Sequence, residues 1–468
     1  MRVLLISANN EKKPYPVAPL GLAYLSGALI KEGHDVRILD LCFVENVEIF
    51  LNTSIGEFSP ELIGVSIRNV DNLTYPLSIS YLPFIKSVTD HIKAITDAPI
   101  VLGGSGFSIF PNSMLDYLGL DLGVIGEGEK AIKGLAGGEG IEVIPNLVFR
   151  EGNGFSRNMI EPIEDFGRPF RGGIDNEGYL KWGGMGNIQT KRGCPFNCIY
   201  CTYPLIDGRK VRLREPDDIG EEIGRMHREY GIDHIFFVDD IFNYPVEHAE
   251  TICREMIRRK INVRWTAFCN PAFMSPSLFT LMKEAGCQGI EFGTDSLSEH
   301  VLKNLGKSFS PEDVVNACES SGKAGLGAAH YIIFGGPGET PETMKETFEK
   351  LDRLDPTAVI AMIGIRVYPG TTIEAMGRGD GLLKRGAVID DGKVNDLDPF
   401  FYLSSVEDPT HREEDTLIEM VREHAISRPN WVVPGLNIRS GGEDFIKLRK
   451  IGKRGPLWDL LKGNAQRF

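Results

Sequence analysis

Residues 190–201 read TKRGCPFNCIYC, so Cys194, Cys198 and Cys201 put three thiols into eight positions of a 468-residue chain with eight cysteines in all. Thiolates spaced so closely bind metal. A tetrahedral structural zinc takes four protein ligands, commonly two pairs with a longer loop between them. Here no fourth Cys or His stands nearby, and the next cysteine is Cys253. Three thiolates can instead hold three irons of a four-iron cluster and leave the fourth iron open to another ligand. The alternatives are a zinc site completed from a distant part of the chain and three ordinary buried thiols. Eight cysteines are too few for a disulfide framework at this length, so a reducing compartment fits better.

Three polar loops form a second group of candidates: SIRN (66–69) with Ser66 and Arg68, GGSG (103–106) with Gly103, Gly104, Ser105 and Gly106, and GEGE (126–129) with Gly126, Glu127, Gly128 and Glu129. Each ends a short apolar run. Glycines there let a backbone approach a flat or bulky ligand and permit positive φ. Any one of them alone reads equally well as a turn, and three together favour a ligand. No G-x-G-x-x-G follows the first strand, so the usual dinucleotide fingerprint is missing.

The elements that carry these residues follow from periodicity. Apolar runs at 2–7, 34–41, 61–67, 99–103 and 122–125 alternate with helical stretches at 19–33 and around 77–95 and a helix after 129. That alternation predicts an α/β fold with a parallel, doubly wound sheet, whose ligands bind outside the carboxyl ends of the strands. Residues 150–187 are rich in Gly, Asn, Asp and Arg and read as a connector. A second alternation then places strands at 187–192, 234–240, 263–269, 289–295, 329–336 and 359–369, with helices at 217–230, 244–259, 275–285, 311–324 and 341–353. Six such units predict a partial (β/α)6 barrel, with the three cysteines directly after its first strand. The expected domains are 1–149, a Rossmann-like domain; 150–187, the connector; 188–375, the barrel; and 376–468, a C-terminal extension.

Composition is that of a globular protein, 42% hydrophobic and 25% charged. A net charge of −14 argues against wide nucleic-acid contacts. No apolar run is long enough to span a membrane, and the first residues lack the pattern of a signal peptide, so a cytoplasmic location is expected. The last 31 residues run the other way, with eight Lys or Arg against three Asp or Glu. Their basic, amphipathic stretch 445–463 suggests docking on an acidic protein or an anionic membrane, or a solvated terminal helix.

CPFNCIYC, with Tyr200 just before the last cysteine, resembles the C-x3-C-x2-C motif of the radical S-adenosylmethionine (SAM) superfamily, and a Rossmann-like domain ahead of the barrel resembles its cobalamin-binding, class B methylase-like branch. The resemblance implies that Cys194, Cys198 and Cys201 hold a [4Fe-4S] cluster whose open iron chelates S-adenosylmethionine. No D-x-H-x-x-G motif occurs, so it also implies cobalamin bound base-off and without a histidine ligand. Arg68 is similar to the residue under cobalt in some members; an ordinary surface Arg is the alternative. Asp239 and Asp240 in FFVDDIFN lie where relatives contact S-adenosylmethionine, unless they are helix caps. Glu291 resembles a ribose-binding acid, and Gly335 in IIFGGPGET resembles the glycine-containing strand near adenine. His330 and Tyr331 face the substrate or, more ordinarily, pack in the core.

Implied in turn is anaerobic methylation of an unactivated sp3 carbon, with a deoxyadenosyl radical and methylcobalamin as the reacting species. A peptide or protein substrate is expected, and the glutamine C-methylases of methyl-coenzyme M reductase are one group with this architecture. A lipid or other small molecule, methylated, cyclised or rearranged, is the alternative. An electron donor such as ferredoxin or flavodoxin is the implied partner.

Overall fold

The structure, a computed structural model, describes residues 1–388, 397–404, 413–439, 447–456 and 458. Its amino-terminal sheet has seven strands: β1 (Arg2–Ser7), β2 (Asp35–Asp40), β3 (Leu62–Ser66), β4 (Ile100–Gly103), β5 (Leu122–Val124), β6 (Leu147–Glu151) and β7 (Gly154–Arg157). They lie in the order β2-β1-β3-β4-β5-β6-β7. Strands β1 to β5 pair in parallel, as the alternation predicts. The β6–β7 hairpin then adds an antiparallel edge. That hairpin and a helix at Asn176–Gly183 fall partly inside the stretch expected to be a connector. A four-residue strand is too short for periodicity to declare, and the helix is rich in glycine, a poor helix former.

Both faces of the central strands β1 and β3 are covered, so these are apolar almost throughout, whereas β2 and the β6–β7 hairpin at the edges are partly exposed. Leu4, Ile6, Ile63 and Val65 pack on one side with Leu115 and Ile92, while Val3, Leu5 and Val101 pack on the other with Leu22 and Ile132. Each fully buried Leu or Ile contributes roughly 1.5–3 kcal/mol relative to exposure.

The second sheet is wholly parallel, ordered β14-β13-β12-β11-β10-β9-β8 in chain sequence. Its strands are β8 (Gly186–Ile188), β9 (His234–Phe237), β10 (Arg264–Cys269), β11 (Cys287–Asp295), β12 (Gly327–Phe334), β13 (Ala358–Ile363) and β14 (Trp431–Val432). The first six are the expected barrel strands. Strands β8 and β14 form the edges, so the barrel is open. Helices at Pro216–Tyr230, Val246–Arg258, Pro276–Glu284, Pro311–Lys323 and Pro341–Leu354 connect them. Three of these start from a side-chain cap: Ser275 alone, and Ser310 and Thr340 within capping boxes. Strand β14 comes from the C-terminal region, whose sequence gave no periodic signal.

Two buried ion-pair groups tie the sheets together. Arg192, in the short ribbon Lys191–Arg192 and Arg212–Leu213, donates to Glu127 Oε1 and Glu129 Oε1, both at 2.8 Å. Arg212 donates to Glu127 Oε2 at 2.5 Å. Across the interface, Arg366 meets Asp71 at 2.8 and 2.9 Å. Among the described residues no helix is long and apolar enough to cross a membrane.

Candidate active site

The order β2-β1-β3 reverses direction at β1, and a doubly wound sheet opens a crevice at such a switch point. A cavity of about 370 Å³ lies there. It is lined by Ser7 and Asn9 after β1, Ser66 and Arg68 after β3, Gly103 to Ser105 after β4 and Gly126 to Glu129 after β5. The first of these loops carries no glycine motif and was not among the candidates read from sequence. A polar Asn-Asn pair directly after a buried strand was the available signal.

The glycines differ in what they do. Gly104 has φ +96°, and a Cβ there would stand 2.5 Å from Ile67 O. Gly126 has φ +72° and faces Ile206 O. Gly106 lies outside the lining and is pressed on Arg68 O, so it serves the loop's own packing and not a ligand. Gly103 alternates onto the cavity face with Val101 and has nothing closer than 3.9 Å at its Cβ position. Glu127 and Glu129 also differ from expectation. Both oxygens of Glu127 are taken, by Arg192, Arg212 and Ile163 N, the last at 2.9 Å, and Oε1 of Glu129 is taken by Arg192, so both residues dock the domains at the edge of the cavity.

A second cavity, of about 500 Å³, occupies the barrel at the carboxyl ends of its strands. Cys194, Cys198 and Cys201 line it together with Tyr200, Asp239, Asp240, Glu291, Lys307 and Tyr331. The cysteine loop is pinned by close backbone approaches. Gly193, at φ +92°, leaves no room for a Cβ against Lys210 O, and Ile199 N donates to Leu305 O at 3.1 Å. Tyr200 anchors its tip, donating to Asp295 Oδ2 at 2.5 Å beside Lys307, whose Nζ meets the same oxygen at 2.8 Å.

Burial pushes the Cys194 thiol up to about 11 and that of Cys201 to about 12. Loading the site with metal therefore displaces protons. Among the described residues no three His, Cys, Asp or Glu side chains converge as on a single ion. A polynuclear cluster takes each thiolate on a different iron, and this open trio suits it.

The two aspartates have separate tasks. Asp239 accepts from Thr190 N and Thr190 Oγ1, both at 2.6 Å, and from Lys191 N at 3.2 Å. It is not a helix cap: with three donors on its oxygens it fastens the strand before the cysteine loop, at the wall of the cavity. Asp240 lines the cavity with its Oδ2 buried and unpartnered. Burial first, then Asp207 and Asp239, hold its carboxyl well above the usual range. A carboxylate lacking a cation is what the ammonium group of S-adenosylmethionine would satisfy.

Glu291 is engaged on both oxygens, by Tyr331 OH at 2.8 Å and Trp458 Nε1 at 3.0 Å, which leaves less of it for a ribose than expected. Gly335 lies outside the lining and packs on Leu403 and Leu417. His330 is buried, with Nδ1 2.8 Å from Thr294 Oγ1, and is a core residue; Tyr331 faces the cavity. Tyr15, from the loop after β1, also lines the barrel cavity, a crossing between domains that no motif announced.

The two cavities meet. Val17, Ala18, Arg68, Asn187, Tyr203 and Val238 line both. No hydrogen bond or ion pair of the Arg68 guanidinium is found among the described residues.

Residues 6–136 match the B12 binding domain and residues 188–351 the radical SAM superfamily. The chain thus carries the domain pair of the cobalamin-binding radical SAM enzymes, and relatives that it matches over most of its length are methyltransferases. It is 27% identical to a tryptophan 2-C-methyltransferase of Streptomyces laurentii, over 78% of this chain and 73% of that one. It is 25% identical to a cytidylyl-2-hydroxyethylphosphonate methyltransferase of Streptomyces wedmorensis, over 74% and 76%. The fold matches that of TsrM from Kitasatospora setae, solved with tryptophan and a SAM analogue, at a TM-score of 0.88 and 24% identity, covering 99% and 98% of the two chains. The cofactors of this radical SAM and B12-binding pair are a [4Fe-4S] cluster, S-adenosylmethionine and cobalamin.

Proposed function

We propose that this enzyme transfers a methyl group to a carbon of a small organic molecule bound in the barrel cavity. The observation that carries the reading is the junction of the two cavities at Arg68 and Tyr203. Bound cobalamin supplies a metal that carries a methyl group, and the cluster supplies single electrons and a chelation point for S-adenosylmethionine. The protein's own work is placement. Cys194, Cys198 and Cys201 would hold the cluster, Asp240 the ammonium group, and the loops at Ser66, Gly103 and Gly126 the corrin, with Arg68 between them.

Of the acceptor classes weighed from sequence, the barrel cavity favours a small molecule over a peptide or protein. Aromatic rings line it, from Phe196, Phe236, Phe268 and Phe309, and they suit a planar or apolar acceptor. The acceptors named for the two relatives are likewise small molecules. One of them, carbon 2 of tryptophan, is an sp2 carbon, so the proposal does not retain the sp3 restriction.

The test is anaerobic. The chain is reconstituted with iron, sulfide and cobalamin, then incubated with methyl-labelled S-adenosylmethionine, a reductant and either a small-molecule extract or a peptide digest. Label on carbon in the small-molecule fraction, with about four irons and one corrin per chain, supports the reading. Label confined to peptides overturns it.

A further inference from the structure

The barrel interior changes character below the cavity. Side chains alternate along a strand, so Gly289, Glu291 and Gly293 of β11 point inward in succession, as do Ala329 and Tyr331 of β12. Gly293, Glu291 and Tyr331 line the cavity, whereas Gly289 and Ala329, two residues earlier on their strands than Glu291 and Tyr331, lie below that lining, with Ala329 in register with Glu291. That lower layer is built of residues too small to fill it. A barrel is normally packed by its own inward side chains. Here the volume is filled from elsewhere.

Trp458 fills it. The indole is 3% exposed and packs with Ala329, Ala358 and Val432. It lies so close over Gly289 that a Cβ there would strike the ring. Its Nε1 donates to Glu291 Oε1 at 3.0 Å, on the carboxylate whose other oxygen holds Tyr331. The preceding residues brace it. Arg449, 4% exposed, donates to Lys453 O at 3.0 Å and Gly455 O at 2.6 Å. Gly455 N bonds Gly184 O at 3.1 Å, and Arg454 pairs with Asp233 at 2.9 Å. The described part of the basic tail is thus folded under the barrel, and Arg449 and Trp458 are turned inward. The rest of the stretch 445–463 lies outside the described residues.

We propose that Trp458 is the floor of the acceptor cavity, a specificity-determining side chain delivered by the C-terminal segment into the lowest layer of the barrel. The proposal rests on the reading of that cavity as the acceptor site. Two functions follow from one contact. The ring limits how deep an acceptor can lie, and the N–H fixes the orientation of Glu291, the carboxylate that faces it.

The test uses the full chain loaded with its cofactors and two variants, Trp458→Ala and Trp458→Phe. A crystal structure of Trp458→Ala soaked with indole is expected to show the probe against Gly289 and Ala329, in space continuous with the cavity. Calorimetry is expected to show one more saturable indole site per chain in this variant than in the wild type, whose acceptor cavity also admits a planar ring. With methyl-labelled S-adenosylmethionine and a size-graded acceptor set, preference moves toward larger acceptors by about tenfold or more, and added indole reverses the change. A vacated space walled off by Glu291 and Tyr331 overturns the proposal, as does an unchanged acceptor preference in a variant that binds the additional indole. If Trp458→Ala loses its cluster and corrin absorbance, Trp458→Phe decides, because its smaller ring must leave a deeper cavity and an unchanged one overturns the proposal. If the wild type methylates no small molecule, the proposed function fails, while the crystal structure and calorimetry still decide the floor.

Discussion

Adjacent residues of one type can have unrelated duties, and Asp239 and Asp240 show it. The first has its charge divided among three donors of Thr190 and Lys191, and the second has a buried oxygen with none. Asp240→Asn is therefore expected to keep its iron and lose about tenfold or more in affinity for S-adenosylmethionine, since a charge-assisted bond is worth roughly 1.5–3 kcal/mol. Asp239→Ala leaves buried N–H groups unpaired at about 1–3 kcal/mol and frees the strand that leads into the cysteines. Its iron content should fall as well. Equilibrium dialysis and iron analysis separate the two, and equal iron loss in both variants would contradict the division.

The strand-end loops are the elements on which the site is built, and their glycines fall into two groups. Gly104→Ala forces a side chain into positive φ and against Ile67 O, so it should destabilise the domain by more than about 1 kcal/mol. Gly103→Leu projects into open cavity space and should lower corrin occupancy with iron unchanged. Absorbance after reconstitution reads both. The loop after β12 carries a titratable strut: Glu339 accepts from Gly335 N at 3.2 Å and Thr343 Oγ1 at 2.9 Å, and burial pushes its carboxyl up to about 7. A raised carboxyl favours the fold while it is protonated. That contribution is complete below the ordinary value of 4.5 and is lost as pH rises through about 7. Glu339→Gln should thus gain on the wild type across that window, by on the order of 3 kcal/mol in urea unfolding. Wild type gaining instead would show that the charged form is the stabilising one.

At the scale of the molecule, the two cofactor domains must face each other, and buried charge holds them there. Arg192 lies between Glu127 and Glu129, over the rings of Tyr24 and Phe166. Removing one partner of a buried pair costs about 3–5 kcal/mol, because the other charge stays behind. Arg192→Ala should lose about that much in urea unfolding and shed corrin and iron together. A loss below 1 kcal/mol would mean that the apolar contacts alone fix the arrangement.

The sequence by itself determined the local chemistry and the order of elements. Three cysteines after β8, polar loops after β3, β4 and β5, and the periods of strands β8 to β13 are short-range features, and each survives translation into structure. What it left open are meetings between distant segments. Nothing in GEGE marks Glu127 and Glu129 as partners of Arg192 and Arg212, and nothing in the loop after β1 places Tyr15 in the barrel. The basic tail reads as a surface feature, yet Trp458 reaches Glu291 across 167 positions. Charge and periodicity report what a residue prefers; the small residues Gly289 and Ala329 create a hole, and only packing in three dimensions shows which side chain fills it.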